Sequence, residues 1–362
     1  MKKMIECVPN FSEGRNMAVI EEITNAIETV EGISLLNVDV GLATNRTVVT
    51  FVGSPEEVVE AAFRGIEKAA EIIDMKVQTG EHPRFGSCDV CPLVPIANIT
   101  MEETVELARK LAERVGKELG IPIFCYEYAA FSEERKSLAN CRSGQYEGLK
   151  NRIESEKWKP DFGPIQWNEN VAKTGATAIG ARNFLVAYNI NLNTTSTRIA
   201  NAIAFDVRES GRIKRESDPV TGKIVFDEFG KPARIPGTLK KVRAIGWFIE
   251  EFGIAQVSLN LTDISVTPVH IAFEEVCEKA RLRGIKVTGS ELVGLIPLQS
   301  MLDAGKYFLQ KQQLPMEISN EEIIQIAINS LGLNELAPFD PKKKIIEYVI
   351  AEKVGKQQLD SN

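Results

Sequence analysis

Histidine is scarce in this chain: 362 residues contain only two, His82 and His270. Aromatic residues make up 7%, too few to build the stacking platforms on which single-stranded nucleic acids are held. A net charge of -7 gives no sign of the basic face of a nucleic-acid binder. No stretch approaches the roughly 20 apolar residues that cross a bilayer. The basic start, Met1-Lys2-Lys3, lacks the apolar run of a signal peptide, so the expectation is a cytoplasmic protein. Six cysteines (Cys7, Cys88, Cys91, Cys125, Cys141, Cys277) are scattered rather than spaced as a disulfide framework. Cys88 and Cys91 form a CxxC with no second one to complete a zinc site. A structural role in an apolar strand stands beside a zinc reading in which His82, Cys88, Asp89 and Cys91 gather. Hydrolase nucleophile motifs and phosphate-cradling glycine loops are missing as well.

What is present is an ordinary globular composition, 44% hydrophobic and 26% charged, long enough for two domains or one large one. Residues 4–8, 33–38, 47–52, 90–96 and 121–126 read as strands, and 17–30 has helical apolar spacing. Ser54-Pro55-Glu56-Glu57 and Thr100-Met101-Glu102-Glu103 are capping boxes, opening helices to about 73 and 119. The order is βαββαβ with one further αβ appended. It recurs later: strand 184–192, helix 195–207, strands 242–250 and 255–261, a helix over 268–283 capped by Thr267, and a short strand 285–287. The pattern predicts an α+β protein of two tandem βαββαβ subdomains, each a helix layer on a mainly antiparallel sheet. The Pro- and Gly-rich stretch 142–180 is the expected linker. Boundaries are placed at 1–180, 181–330 and a helical tail 331–362. Residues 208–238, rich in charge, Pro and Gly, read as a hairpin-like excursion or lid, or as a plain surface loop.

Three polar clusters fall where strands end and loops begin, the usual seat of function. One is the run from Glu6 to Asn16, which contains Asn10. Another is Asp39 with Asn45 and Arg46. The third is Gly80-Glu81-His82-Pro83-Arg84-Phe85-Gly86. If these strands are neighbours, their ends bring a carboxylate, an imidazole and two guanidinium groups to one rim. His82 then stands as a general acid/base, since imidazole titrates near neutrality, or else as a surface or capping residue. Asp39, Arg46 and Arg84 serve either catalysis or structural ion pairs. His270, following Thr267-Pro268, reads as a neutral capping residue in a helix first turn, with a catalytic role as the weaker alternative.

The chain resembles the formiminotransferase family of histidine catabolism, the glutamate formimidoyltransferases. The matching strings include Glu6-Cys7-Val8-Pro9-Asn10-Phe11-Ser12-Glu13-Gly14, Asn45-Arg46-Thr47, Gly80-Glu81-His82-Pro83-Arg84, Asp89-Val90-Cys91-Pro92, Pro160-Asp161-Phe162-Gly163-Pro164 and Gly180-Ala181-Arg182. The resemblance runs from about residue 4 to about 350. It implies two similar ferredoxin-like subdomains forming a double-layer β-sheet with helices outside, usually as a homodimer. It also implies transfer of a formimino group from N-formimino-L-glutamate to N5 of tetrahydrofolate, a co-substrate, with no metal and no nucleic acid or membrane partner. His82 matches the family's catalytic histidine, and Asp39 and Arg84 match an active-site aspartate and arginine. Asn10, Arg46 and Glu81 are the expected substrate-binding residues. The family's folate loop matches Gly163, Pro164, Ile165, Gln166, Trp167, Asn168, Lys173, Thr174 and Gly175. That loop is about three residues longer here than in the animal pattern, and 208–238 is longer too. In animals the domain is fused to a cyclodeaminase, and this chain ends before one could begin. Alternatives are a formyl transfer involving N-formylglutamate or 5-formyltetrahydrofolate, a non-catalytic folate binder, and an RNA-binding module.

Overall fold

A computed structural model describes residues 3–360 apart from Glu81, 218–220 and 314–317, with side chains omitted beyond 353. The chain divides into two units, residues 1–183 with 353–362, and residues 184–352.

Unit 1 contains β1 (Met4–Cys7), β2 (Asn10–Phe11), α1 (Met17–Glu28), β3 (Ser34–Gly41), β4 (Arg46–Gly53), α2 (Pro55–Ile72), β5 (Cys88–Ala97), α3 (Met101–Glu118) and β6 (Ile123–Glu127). Short helices α4 (Leu138–Cys141), α5 (Leu149–Ile153) and α6 (Glu169–Thr174) then lead to β7 (Thr177–Ala181). Both capping-box helices form as expected. At α3 the Thr100 hydroxyl accepts from Glu103 N at 3.2 Å, and Glu103 accepts from Thr100 N at 2.9 Å. Such a cap contributes about 1 kcal/mol.

Pro9 interrupts the first strand, so β1 and β2 act as one broken strand between β4 and β5. The antiparallel order is therefore β3, β4, β1/β2, β5, with β7 and β6 added in parallel beyond β5. Residues 142–180 do not bridge two domains: they supply α5, α6 and β7 to this unit. One sheet face is apolar, with Ile5, Cys7, Val49, Phe51 and Leu93 packed under α1, α2 and α3. The other face is mixed. Register sets Asp39, Val48, Asn10 and Val90 in one row across four strands, and directly opposed residues share a face. Glu6 stands on that face, opposite Val52 and Val94.

Unit 2 repeats the order. It runs β8 (Val186–Leu192), α7 (Thr197–Val207), β9 (Arg212–Ile213), β10 (Arg234–Ile235), β11 (Val242–Ile249), β12 (Ile254–Leu261), α8 (Val269–Arg281) and β13 (Val287–Val293). The sheet order is β11, β12, β8, β13, all antiparallel. This is the split-βαβ arrangement, and it matches the four core strands of unit 1. The small β9–β10 sheet and the bridges Arg215–Ile224 and Phe226–Pro232 make the 208–238 excursion a hairpin. Tyr188, Ile190, Val257 and Leu259 face the helices. On the opposite face a buried polar chain crosses three strands: Trp247 Nε1 donates to Gln256 Oε1 at 3.0 Å, and Gln256 Nε2 donates to Asn191 Oδ1 at 2.8 Å.

Four details of unit 2 differ from expectation. The last strand covers 287–293 rather than 285–287, because Arg283-Gly284 still turns out of α8. Thr267 does not cap α8: its hydroxyl donates to Lys240 O at 2.7 Å. His270 is buried and stacks on Tyr307 at 4.6 Å, and no side-chain bond caps the helix there. The C-terminal helices α10 (Asn320–Leu331), α11 (Pro341–Lys344) and α12 (Ile346–Asp360) are preceded by α9 (Leu298–Lys311), whose Met301, Leu302, Phe308 and Leu309 are buried.

Candidate active site

Three loops of unit 1 meet around Asn45. The turn between β3 and β4 needs a left-handed residue, and Asn45 takes φ of 48°, which asparagine tolerates better than most residues. In that pose its Oδ1 accepts from Gly14 N at 2.9 Å, in the loop after β2. Its Nδ2 donates to Thr79 O at 2.7 Å, in the loop before β5, and its carbonyl accepts from Gln78 Nε2 at 3.0 Å. Gly80 packs so closely that a Cβ there would lie 2.3 Å from Thr44 O. Loops from all three clusters thus meet at this one asparagine.

Arg46 follows it. Nε donates to Asn10 Oδ1 at 3.1 Å, and Nη1 bonds Asp89 Oδ2. Asp89 also accepts from Arg142 Nη1 at 2.6 Å on the same oxygen. The aspartate is fully buried, and its Oδ1 has no hydrogen-bond partner among the described residues. It occupies the point where β5 slips register against β2: Asn10 pairs Val90 and Phe11 pairs Cys88, leaving Asp89 as the extra residue of a bulge. A bulge re-aims a side chain in this way. Burial raises the carboxyl's pKa, but Arg142 and Arg46 outweigh it and hold Asp89 below its ordinary value.

His82 lies beside this trio. Its Nδ1 is 2.7 Å from Pro83 O. A carbonyl can only accept, so Nδ1 carries the proton and Nε2 keeps its lone pair. Burial, then the Arg46 and Arg142 charges, push the imidazole down to about 3, with Asp89 pulling the other way. The ring is thus a neutral proton acceptor. Further along the same sheet face, burial pushes Glu6 up to about 7 against the pull of Arg182.

The other expected residues divide. Asn10 joins the cluster through Arg46. Asp39 stands in its row opposite Val48, two strand spacings or roughly 10 Å from Asn10 by backbone geometry. Arg84 is turned elsewhere: Nε donates to Gln78 O at 2.9 Å, and Nη2 pairs Glu147 at 2.6 Å. Glu81 lies outside the described residues. The 163–175 loop reaches the site through its end. Gly86 and Gly175 form a bridge, and Ala176 N donates to Phe85 O at 3.1 Å. Gly175 has φ of 67°, and a Cβ would meet Phe85 O at 2.4 Å, so only glycine fits that junction. Within the loop, Trp167 packs on Tyr146 at 6.0 Å, Asn168 caps α6, and Thr174 O accepts from Ser87 N at 2.7 Å. Lys173 points away, donating to Glu71 O at 2.6 Å. A Cβ at Gly163 would meet Ile121 O at 2.2 Å, and Ile165 is exposed.

The zinc reading of His82, Cys88, Asp89 and Cys91 fails on chemistry. Asp89 is already clamped by two guanidinium cations, while Cys91 faces Cys7 with sulfurs 3.5 Å apart inside the helix-side core. Sequence reasoning named Asp89 only as a zinc ligand and within a matching string, not as the partner of Arg46, and it missed Arg142. The one available signal was a charged residue inside an otherwise apolar strand.

A family model for the formiminotransferase domain, N-terminal subdomain, matches residues 4–182, and one for the formiminotransferase domain matches 187–351. A glutamate formimidoyltransferase of Thermoplasma acidophilum is 43% identical over 85% of this chain and 92% of its own length. One from Streptococcus pyogenes is 40% identical over 86% and 94%. The formimidoyltransferase-cyclodeaminase of Gallus gallus is 47% identical over 97% of this chain, which spans 60% of that longer protein. With both subdomain models matched in order and the split-βαβ core repeated, this chain belongs to the formiminotransferase family.

Proposed function

We propose that this chain is a glutamate formimidoyltransferase, moving the formimino group from N-formimino-L-glutamate to N5 of tetrahydrofolate and releasing glutamate. The observation that carries the reading is the His82 tautomer: Nδ1 is fixed on Pro83 O, which leaves Nε2 as a base beside Arg46. The similarity to shorter relatives named for this activity supports it.

In this reading N5 attacks the formimino carbon and a tetrahedral carbon forms, bonded to both nitrogens. His82 Nε2 takes the N5 proton. It returns that proton to the glutamate nitrogen as the carbon–nitrogen bond breaks, leaving glutamate and the still cationic N5–CH=NH2+. Proton transfer of this kind contributes about 10²–10⁴-fold, and holding two substrates in register supplies much of the remainder. Arg46 binds a donor carboxylate, which its planar fork suits. Asp39 faces the cationic formimino group. Arg84 acts indirectly, by bracing the loop that carries His82. The 163–175 loop contacts folate, its end being joined to the His82 segment at Gly86 and Gly175. We place the enzyme in the cytoplasm as a homodimer, in line with the family resemblance.

The test is the purified protein with N-formimino-L-glutamate and tetrahydrofolate, followed by formation of 5-formiminotetrahydrofolate. N-formylglutamate runs in parallel. Turnover of the formyl compound alone would replace this reading with formyl transfer, and folate binding without turnover of either would leave a binding protein.

A further inference from the structure

We infer that Arg142, set beside Arg46 by the shared carboxylate of Asp89, is a positioning residue for His82: the two guanidinium groups receive a donor carboxylate, which neutralises their excess charge at the step where His82 has to hold a proton. The inference rests on the proposed reading of this site as a donor-binding centre.

Charge arithmetic is the first support. Among the described residues, the charged groups facing His82 are Arg46 from β4, Asp89 from β5 and Arg142 from the turn after α4, and its own loop supplies the Pro83 carbonyl. Arg84, also on that loop, is committed to Gln78 and Glu147. Two guanidinium groups against one carboxylate leave one net positive charge beside the ring. That charge opposes protonation, and burial strengthens the opposition because the effective dielectric is low.

Hydrogen-bond supply is the second. Both arginines spend one Nη1 on Asp89 Oδ2, and Arg46 spends Nε on Asn10. Their remaining N–H groups make no hydrogen bond among the described residues. Asp89 is therefore the buried strut that sets two guanidinium forks side by side, and each fork keeps donors for an incoming carboxylate. A substrate carboxylate bound there brings the local charge to zero. The opposition to an imidazolium then disappears at the step where His82 has to hold a proton. An isolated His82 is a weak base, and a substrate-loaded one is a matched base.

The chain's two histidines make the test direct. The imidazole Cε1–H signals of the full-length protein are followed by NMR against pH, with His82→Gln assigning the pair. In the free protein His82 is expected to stay neutral well below pH 6. Saturating L-glutamate, without folate, should raise its proton affinity about tenfold or more. Arg142→Gln should raise it in the free protein and shrink the glutamate-induced change. Arg142→Lys, which keeps the charge but not the planar fork, should leave His82 of the free protein titrating as in the wild type, which shows that the effect is electrostatic rather than a loss of fold. Titration of free His82 near the ordinary histidine value overturns the inference. So does glutamate binding, seen by calorimetry, that leaves His82 unmoved. If turnover of N-formimino-L-glutamate persists in either case, the proposed function stands and only the charge coupling fails. If glutamate does not bind and turnover is also absent, both fall.

Discussion

Arg142 Nη1 donates to Asp89 Oδ2 at 2.6 Å across 53 residues of chain, onto a carboxylate with no solvent exposure. The same oxygen takes Arg46 from β4, on the far side of β2. A buried carboxylate with two guanidinium partners is the electrostatic centre of unit 1, and His82 responds to it.

Replacing His82 with Ala should lower turnover by at least about 10²-fold, the lower bound for a proton-transfer residue, while tetrahydrofolate binding persists. Steady-state kinetics with a parallel fluorescence titration of folate separates the two. Turnover within a fewfold of wild type would remove His82 from the chemistry.

Asp89→Asn should destabilise the protein strongly. It leaves two buried guanidinium groups without a counter-charge, and breaking a buried pair on one side costs about 3–5 kcal/mol. Urea unfolding of the variant measures it, and a loss under about 1 kcal/mol would mean that solvent reaches the site.

Stability should fall between pH 6.5 and 4 partly through His82. Its folded pKa is depressed to about 3, while the unfolded chain titrates near 6.5. Between those values the unfolded state binds the extra proton, so stability rises with pH across the window and is complete above about 6.5. Below about 4, protonation of Asp89 adds to the loss, since its folded pKa is also depressed. His82→Gln should flatten the upper part of this slope, which unfolding midpoints taken at several pH values would show. An unchanged slope would contradict a half-buried His82 that stays neutral in the folded protein.

Asn45→Gly keeps the left-handed backbone but removes the ties to Gly14 and Thr79. The loss should be about 1–3 kcal/mol, the cost of leaving buried partners unsatisfied. It should be accompanied by faster proteolytic cleavage in the 78–86 loop. Gly80→Ala attacks the same junction from the other side, through a Cβ placed 2.3 Å from Thr44 O. It should lower activity more than it lowers binding of folate.

Much of the fold was legible because its signals are local. Ser54 and Thr100 open their helices where capping chemistry puts them, and alternating apolar residues such as Val49 and Phe51 mark a half-buried strand. The βαββαβ order followed from those marks in both halves. β7 was hidden, because Thr177 to Ala181 is short and sits behind a run of Pro and Gly that reads as a linker. Helix α9 carries no capping residue, only Pro297 at its start.

The residues of the site were partly legible for a different reason. His82, Asn10, Asn45 and Arg46 sit in turn-forming strings at strand ends, and their polarity marks them where they stand. The sequence by itself thus determined the element order, the cluster of loops and the scarce imidazole among them. Only the tertiary structure decided what surrounds that imidazole. A one-residue bulge aims Asp89 away from the alternation of its strand, and the fold returns Arg142 to it from 53 residues downstream. Arg84, the nearest cation in sequence, is drawn off to Gln78 and Glu147 instead. Electrostatic energy depends on distance through space, and neither a register slip nor a long-range return is written in local spacing.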